Sequence, residues 1–178
     1  GMRGHPSRII TWCLVMGIHP QWKRPPHNIT EDELSAAPAY DVLLLTRSNQ
    51  REREWTHWDE LEAMLQGEGL TTFRPSTTWR PTAAMMLRTK LVIGNDSAPA
   101  HLSGTLDVPT IALLGPTTPS VFAHLQSVHC LQTEKRELMC SGCWYSVGFE
   151  PQVCRHECAS LAKLPASKVF VKAKGLLS

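Results

Sequence analysis

The sequence predicts an α/β domain: a Rossmann-like parallel sheet with helices on both faces. Three observations carry this. First, six short runs read as strands, at residues 8–16, 41–46, 70–74, 91–93, 110–114 and 127–131. Several of them (RIITWCLVM, DVLLLT, TIALL) are apolar without alternation, which suits strands covered on both faces. Second, the segments between the runs carry helix signals, and right-handed strand–helix–strand crossovers of this kind build one parallel sheet. Third, polar turns follow the fourth and fifth runs, at the sheet edge where ligands of such folds bind. A chain of 178 residues is long enough to bury a substantial single core.

The elements follow in order. Arg8 to Met16 is the first strand, and Gly17 ends it. The loop after it, HPQWKRPPHN, holds two adjacent prolines that forbid helix. Thr30 followed three residues on by Glu33 is a capping box, so a short helix runs to about Ala37 and Pro38 stops it. Asp41 to Thr46 is the second strand. A helix is expected from about Arg51 to Gln66, because Trp55, Trp58, Leu61, Met64 and Leu65 recur at three- and four-residue intervals. Gly67 and Gly69 break it. Leu70 to Arg74 is the third strand, Ala83 to Arg88 a short helix, and Ser120 to Gln126 one helical turn before the sixth strand. The segment from Pro165 to Leu177 reads as a closing helix with Val169, Phe170 and Ala173 inward.

Residues 91–119, LVIGNDSAPAHLSGTLDVPTIALLGPTTP, are the most informative stretch. The fourth strand ends at Gly94, and Asn95, Asp96 and Ser97 offer helix N-cap chemistry. Pro99 falls in the first helical turn, where its missing N–H costs nothing. The helix runs to about Leu106, and His101 lies one turn beyond Ser97 on the same face. The fifth strand then ends in Gly115-Pro116-Thr117-Thr118-Pro119. Unpaired N–H groups and the dipole at a helix start attract phosphate. The plainer alternative is a well-capped strand–helix–strand core in which Asp96 only caps.

The net charge of +2 supplies no strong field, which argues against nucleic acid as a partner. No apolar run approaches the length a bilayer requires, and a cytoplasmic location is expected. Of six cysteines, Cys13 and Cys130 fall in strands and read as inert buried thiols. The other four are clustered as Cys140-x2-Cys143, ten residues, then Cys154-x3-Cys158. Two close pairs joined by a loop match a tetrahedral thiolate site. In a reducing compartment this favours a metal over disulfides, with zinc first and iron as the alternative. His156 could compete as a ligand. A site closed by four sulfurs would be structural. Two disulfides or four reduced thiols remain the other readings.

The 91–119 stretch resembles the C-terminal signature of the bacterial ADP-heptose:lipopolysaccharide heptosyltransferases, the family 9 glycosyltransferases. Asp96, Ser97, His101, Pro109, Gly115, Pro116 and Thr117 match that signature in order and spacing; Ala98 stands where the family usually has Gly. The resemblance implies one half of a GT-B fold, with residues 1–178 as the C-terminal nucleotide-sugar-binding domain, closed by a cysteine-rich metal loop at 138–160. It implies donor contacts from Asp96, Ser97, Ala98, His101 and Thr117. By the same resemblance Lys23, beside Trp22 and with Arg24 as fallback, reaches the diphosphate, where charge-assisted donors are needed. Glu52, hard to separate from Glu54, would bind a sugar or ribose hydroxyl; acids that complement a helix dipole are an equal alternative.

The implied reaction transfers a glycosyl group, heptose from ADP-heptose, to an acceptor hydroxyl with inversion. The acceptor would be a lipid A-core glycan, another glycan or a protein. The catalytic base is expected in a missing N-terminal domain, so this chain is expected to bind nucleotide sugar without turning it over. Peripheral association with the inner membrane and oligomer formation are compatible with this. Two other readings stay open: a metal-stapled interaction module without sugar chemistry, with Trp144, Tyr145 and Phe149 as its contact surface, and a GT-B enzyme that uses UDP-sugars.

Overall fold

The structure is a computed structural model that describes residues 28–76, 78–134, 141–143 and 159–178, apart from the side chains of Arg51 and Ala159. The expected first strand, at residues 8–16, and the loop carrying Lys23 and Arg24 lie outside the described residues.

Five parallel strands form one sheet: β1 (Val42–Leu45), β2 (Thr72–Phe73), β3 (Leu91–Asn95), β4 (Thr110–Leu114) and β5 (Val128–Gln132). Their order is β2-β1-β3-β4-β5. The helices are α1 (Glu31–Ala36), α2 (Trp58–Gly67), α3 (Trp79–Leu87), α4 (Ala98–Thr105), α5 (Ala159–Ala162) and α6 (Ala166–Leu177). Short 3₁₀ turns occupy Arg51–Arg53 and Pro119–Phe122. The strand order reverses direction between β1 and β3. In sheets of this topology the carboxyl ends of the two strands at that reversal frame the ligand crevice.

Strand side chains alternate between two cores, as a sheet covered on both faces requires. On one face Val42, Leu44, Leu91, Ile93, Ile111 and Leu113 pack against Trp55, α2, α5 and α6. On the other, Leu43, Leu45 and Val92 meet the α1 and α3 side, and Ala112 and Leu114 meet Ala100 of α4 and Phe122. Gly104 lets α4 lie directly on the neighbouring loop and β5: a Cβ there would stand 2.4 Å from Val128 Cγ2 and 2.7 Å from Leu125 Cδ1.

The capping box on α1 forms as its residues dictate. The Glu33 N–H donates to Thr30 Oγ1 at 3.3 Å, and the Thr30 N–H to Glu33 Oε2 at 2.8 Å. The single helix expected over 51–66 does not form. A 3₁₀ turn is followed by four residues outside any helix, 54–57, and α2 begins only at Trp58. Tertiary bonds win over periodicity here. The Trp55 N–H donates to Asn95 Oδ1 at 3.1 Å and its indole N–H to the Leu164 carbonyl at 2.8 Å, which pulls Trp55 out of the helical series. Trp58, Leu61 and Leu65 do form the buried face of α2. In α6 Val169 and Ala173 are buried as expected, and Phe170 is half-buried against the same core.

Candidate functional site

The carboxyl ends of β1, β3 and β4 meet at one rim. Asn95, at the end of β3, is wholly buried and joins two of them. Its amide nitrogen donates to the Thr46 carbonyl at 2.9 Å, while its oxygen accepts from Trp55. Asn95 is therefore a bridge between β1 and β3 and not the helix cap that its residue type suggested. Ser97 holds the N-cap position of α4 with extended backbone, but its hydroxyl donates back to the Asn95 carbonyl at 3.2 Å and caps no N–H. The helix start is thus not filled by its own cap. Ala98, its first residue, is exposed, and Pro99 follows in the first turn.

Asp96 is the centre of the site and is only 2% exposed. Arg53 Nη1 lies 3.6 Å from its Oδ2, and His101 Nε2 lies 3.5 Å from its Oδ1. Arg53 Nη1 also donates to the Asp96 backbone carbonyl at 3.2 Å. Burial works to raise the Asp96 carboxyl. His101, the nearby Thr117 hydroxyl and the Arg53 charge outweigh it and hold the group below the ordinary aspartate value. The carboxylate is therefore ionised at neutral pH. Thr117 lies close enough to favour that ionised form, yet its hydroxyl closes no hydrogen bond of normal geometry among the described residues; nor does Asp96 Oδ2. Both atoms are buried, and orphaned polar atoms at depth call for a partner.

His101 is fixed from the far side by Phe122. The two rings stack with centroids 4.0 Å apart and 9° between their planes. The turn that carries Thr117 is clamped as well. Gln132 Nε2 donates to the carbonyls of Gly115 (2.9 Å) and Thr117 (2.7 Å), and the Gly142 N–H donates to Gly115 (3.0 Å). Gly142 has φ +70°, and a Cβ on it would stand 2.8 Å from Thr118 Cγ2. Ser141 donates to the Thr133 carbonyl at 2.5 Å, and Thr133 in turn to the Ser160 carbonyl at 2.6 Å. The base of the cysteine segment is thus built onto the Gly115–Thr118 turn.

Beside α4 the rim opens into a cavity of about 440 Å³ lined by Thr46, Arg47, Pro75, Trp79 and Pro99 among others. Its walls come from the ends of β1 and β2 and the starts of α3 and α4.

Of the residues expected in the site, Asp96, His101 and Thr117 come together, with Ser97 and Ala98 at the adjoining helix start. Glu52 is half-buried in the 3₁₀ turn after β1, and Glu54 is exposed. Lys23 lies outside the described residues. So do Cys140, Cys154, Cys158 and His156; Cys143 is buried at the base of that segment. Among the described residues no group of three or more His, Cys, Asp or Glu side chains is placed to hold a metal ion. Arg53, Phe122 and Gln132 were not foreseen. The signal for Arg53 is its place just after a strand's carboxyl end, between Glu52 and Glu54.

The model of glycosyltransferase family 9 (heptosyltransferase) matches residues 33–142, more than half of the chain. No curated protein sequence matches. Among solved structures, the chain is similar to Escherichia coli heptosyltransferase WaaC with ADP: TM-score 0.60, 16% identity, 93% of this chain and 54% of that one. It is similar to a family 9 glycosyltransferase from Veillonella parvula: TM-score 0.67, 18% identity, 99% and 61%. It is also similar to the dodecameric iron-containing heptosyltransferase TibC, from enterotoxigenic E. coli, in complex with ADP-D-β-D-heptose: TM-score 0.64, 14% identity, 92% and 52%. At these identities the likeness is one of fold. The chain spans a little over half the length of the solved structures it matches.

Proposed function

The chain belongs to glycosyltransferase family 9, and on that premise we propose that it is the donor-binding half of a glycosyltransferase. The donor is a nucleotide sugar, with ADP-heptose first, since relatives of the same fold carry ADP or ADP-heptose. In the full reaction the bond between the sugar's anomeric carbon and the β-phosphate oxygen breaks. The acceptor hydroxyl oxygen bonds to that carbon from the opposite face, its proton goes to a base on another domain, and ADP leaves. The residues of this chain bind and orient. The N–H groups at the start of α4, with Ser97 and Ala98, cradle the diphosphate and favour the charge that develops on the leaving group. His101 and Thr117 add hydrogen bonds, Lys23 adds charge, and Glu52 holds a hydroxyl. The cavity beside Pro99 and Trp79 is of a size to take the nucleoside.

The observation that carries this reading is the convergence of the family-signature residues Asp96, His101 and Thr117 at the crevice of the sheet, with the buried Thr117 hydroxyl turned toward the Asp96 carboxylate. Calorimetry against ADP, ADP-heptose and UDP-sugars tests it. ADP and ADP-heptose bind, and the chain alone neither transfers nor hydrolyses the sugar. A folded protein that binds no nucleotide refutes it.

The cysteine segment is a structural metal site in the same reading, with Cys140, Cys143, Cys154 and Cys158 as ligands of iron or zinc. The spacing supports it, and one relative of the fold is iron-containing. Elemental analysis of protein purified without added metal decides; a folded protein without stoichiometric metal refutes the site.

A further inference from the structure

Among the described residues, Arg53 is the charged group paired with Asp96 that the family signature does not supply. Asp96 is nearly sealed from solvent, and it lies between two side chains that both reach the surface. Arg53, on Oδ2, is 25% exposed; His101, on Oδ1, is 37% exposed. Neither contact is as short as a charge-assisted hydrogen bond, about 2.7–2.9 Å, and Oδ2 accepts no hydrogen bond among the described residues. The pairing is close enough to orient both groups. Asp96 is a poor direct contact for an anion, because it is ionised and buried. Its effect reaches a ligand through the two groups it holds.

The guanidinium is pinned by the Asp96 carbonyl and borders the start of α4. A planar fork of five N–H donors can hold a carboxylate by one edge and a phosphoryl group by another. The dipole of α4 points the same way, and the buried Thr117 hydroxyl opens toward the same carboxylate.

We infer that Arg53 contacts the diphosphate of the donor, held by Asp96 as a positioning residue and acting with His101 from the other side of that carboxylate. This rests on the nucleotide-binding reading above and adds a contact to it. Two groups on opposite oxygens of one carboxylate suit a ligand with two adjacent phosphates better than one with a single phosphate.

The test titrates the chain and its R53Q and R53K variants with ADP, AMP and adenosine. The expected result for R53Q is at least tenfold weaker ADP binding, with adenosine affinity within twofold of the unmodified chain. R53K keeps a charge opposite Asp96 but loses the fork, so it binds ADP with intermediate affinity; it also preserves the test should R53Q fail to fold. ADP affinity within twofold of the unmodified chain in both variants overturns the inference. So does an equal loss for ADP and adenosine, which marks a purely structural role. If the unmodified chain ignores ADP altogether, the nucleotide-binding reading falls and this one with it. If the unmodified chain binds ADP and the variants are indifferent, only the role of Arg53 is lost.

Discussion

Asp96→Asn separates two roles for the central carboxylate. The side chain is 2% exposed and its pKa is held below the ordinary value of 3.8, so it carries a negative charge at pH 7. Removing one partner of a buried ion pair costs about 3–5 kcal/mol. Here the contacts are 3.6 and 3.5 Å, and the partners are 25% and 37% exposed. Solvent screens them in part, and about 1–2 kcal/mol is expected. Urea unfolding at pH 7 should show that loss as a lower midpoint with unchanged slope. The sign with pH follows from the depressed pKa. Stability from the charged form is present above 3.8 and is lost as pH falls through the lower folded value, so the two proteins converge in acid. Nucleotide affinity discriminates further. If Asp96 contributed only charge, its removal from beside a diphosphate would tighten ADP binding. If it positions Arg53 and His101, binding weakens. At least tenfold weaker ADP binding is expected, about 1.4 kcal/mol. An Asn variant that binds ADP as well as or better than the unmodified chain refutes the positioning role.

Gly142→Ala adds a Cβ 2.8 Å from Thr118 at a φ of +70°, and left-handed strain plus overpacking sum to about 2–5 kcal/mol. Chemical denaturation should show that loss together with weaker ADP binding, and a change below ~0.5 kcal/mol would mean the cysteine segment is not built onto the turn. Asp41 is held at about 2, first by the Lys90 ion pair and then by Thr71. Its contribution is therefore lost as pH falls from 3.8 toward about 2, and Asp41→Asn should flatten the stability curve over that window; an unchanged curve contradicts this. Burial, aided by the Asp96 charge, pushes the Cys130 thiol up to about 12. Cys130 is half-buried on β5 and not the buried thiol its strand position suggested, so mass-resolved alkylation at pH 8 should label it far more slowly in the native than in the unfolded protein; rapid labelling of the native protein would contradict the raised pKa.

Much of the fold was legible because its signals are local. Continuous apolar runs gave the β1, β3 and β4 strands, and Thr30 with Glu33 gave the start of α1. The start of α4 was also readable, from Ser97 and Pro99. The break before Trp58 was not. Trp55 sits at helical spacing from Trp58, yet its N–H and indole are claimed by Asn95 and Leu164, residues 40 and 109 positions away. Asn95 misled for the same reason: its type signals a cap, while its neighbours in space make it a bridge. In the site, Asp96, His101 and Thr117 were recoverable because they fall on one short signature. Arg53, Phe122 and Gln132 come from three other elements. Only the folded sheet brings an arginine after β1, a phenylalanine after β4 and a glutamine on β5 to the same rim.

The most direct measurement is amide chemical shifts of the isotopically labelled chain during titration with ADP. The expected result is saturable change at Ser97, Ala98, Ala100, His101 and Thr117, with His129 of β5 and Lys172 of α6 unmoved. Shifts confined to the β5–α6 side, or none up to millimolar ADP in a folded protein, would contradict a diphosphate held at the carboxyl ends of β3 and β4.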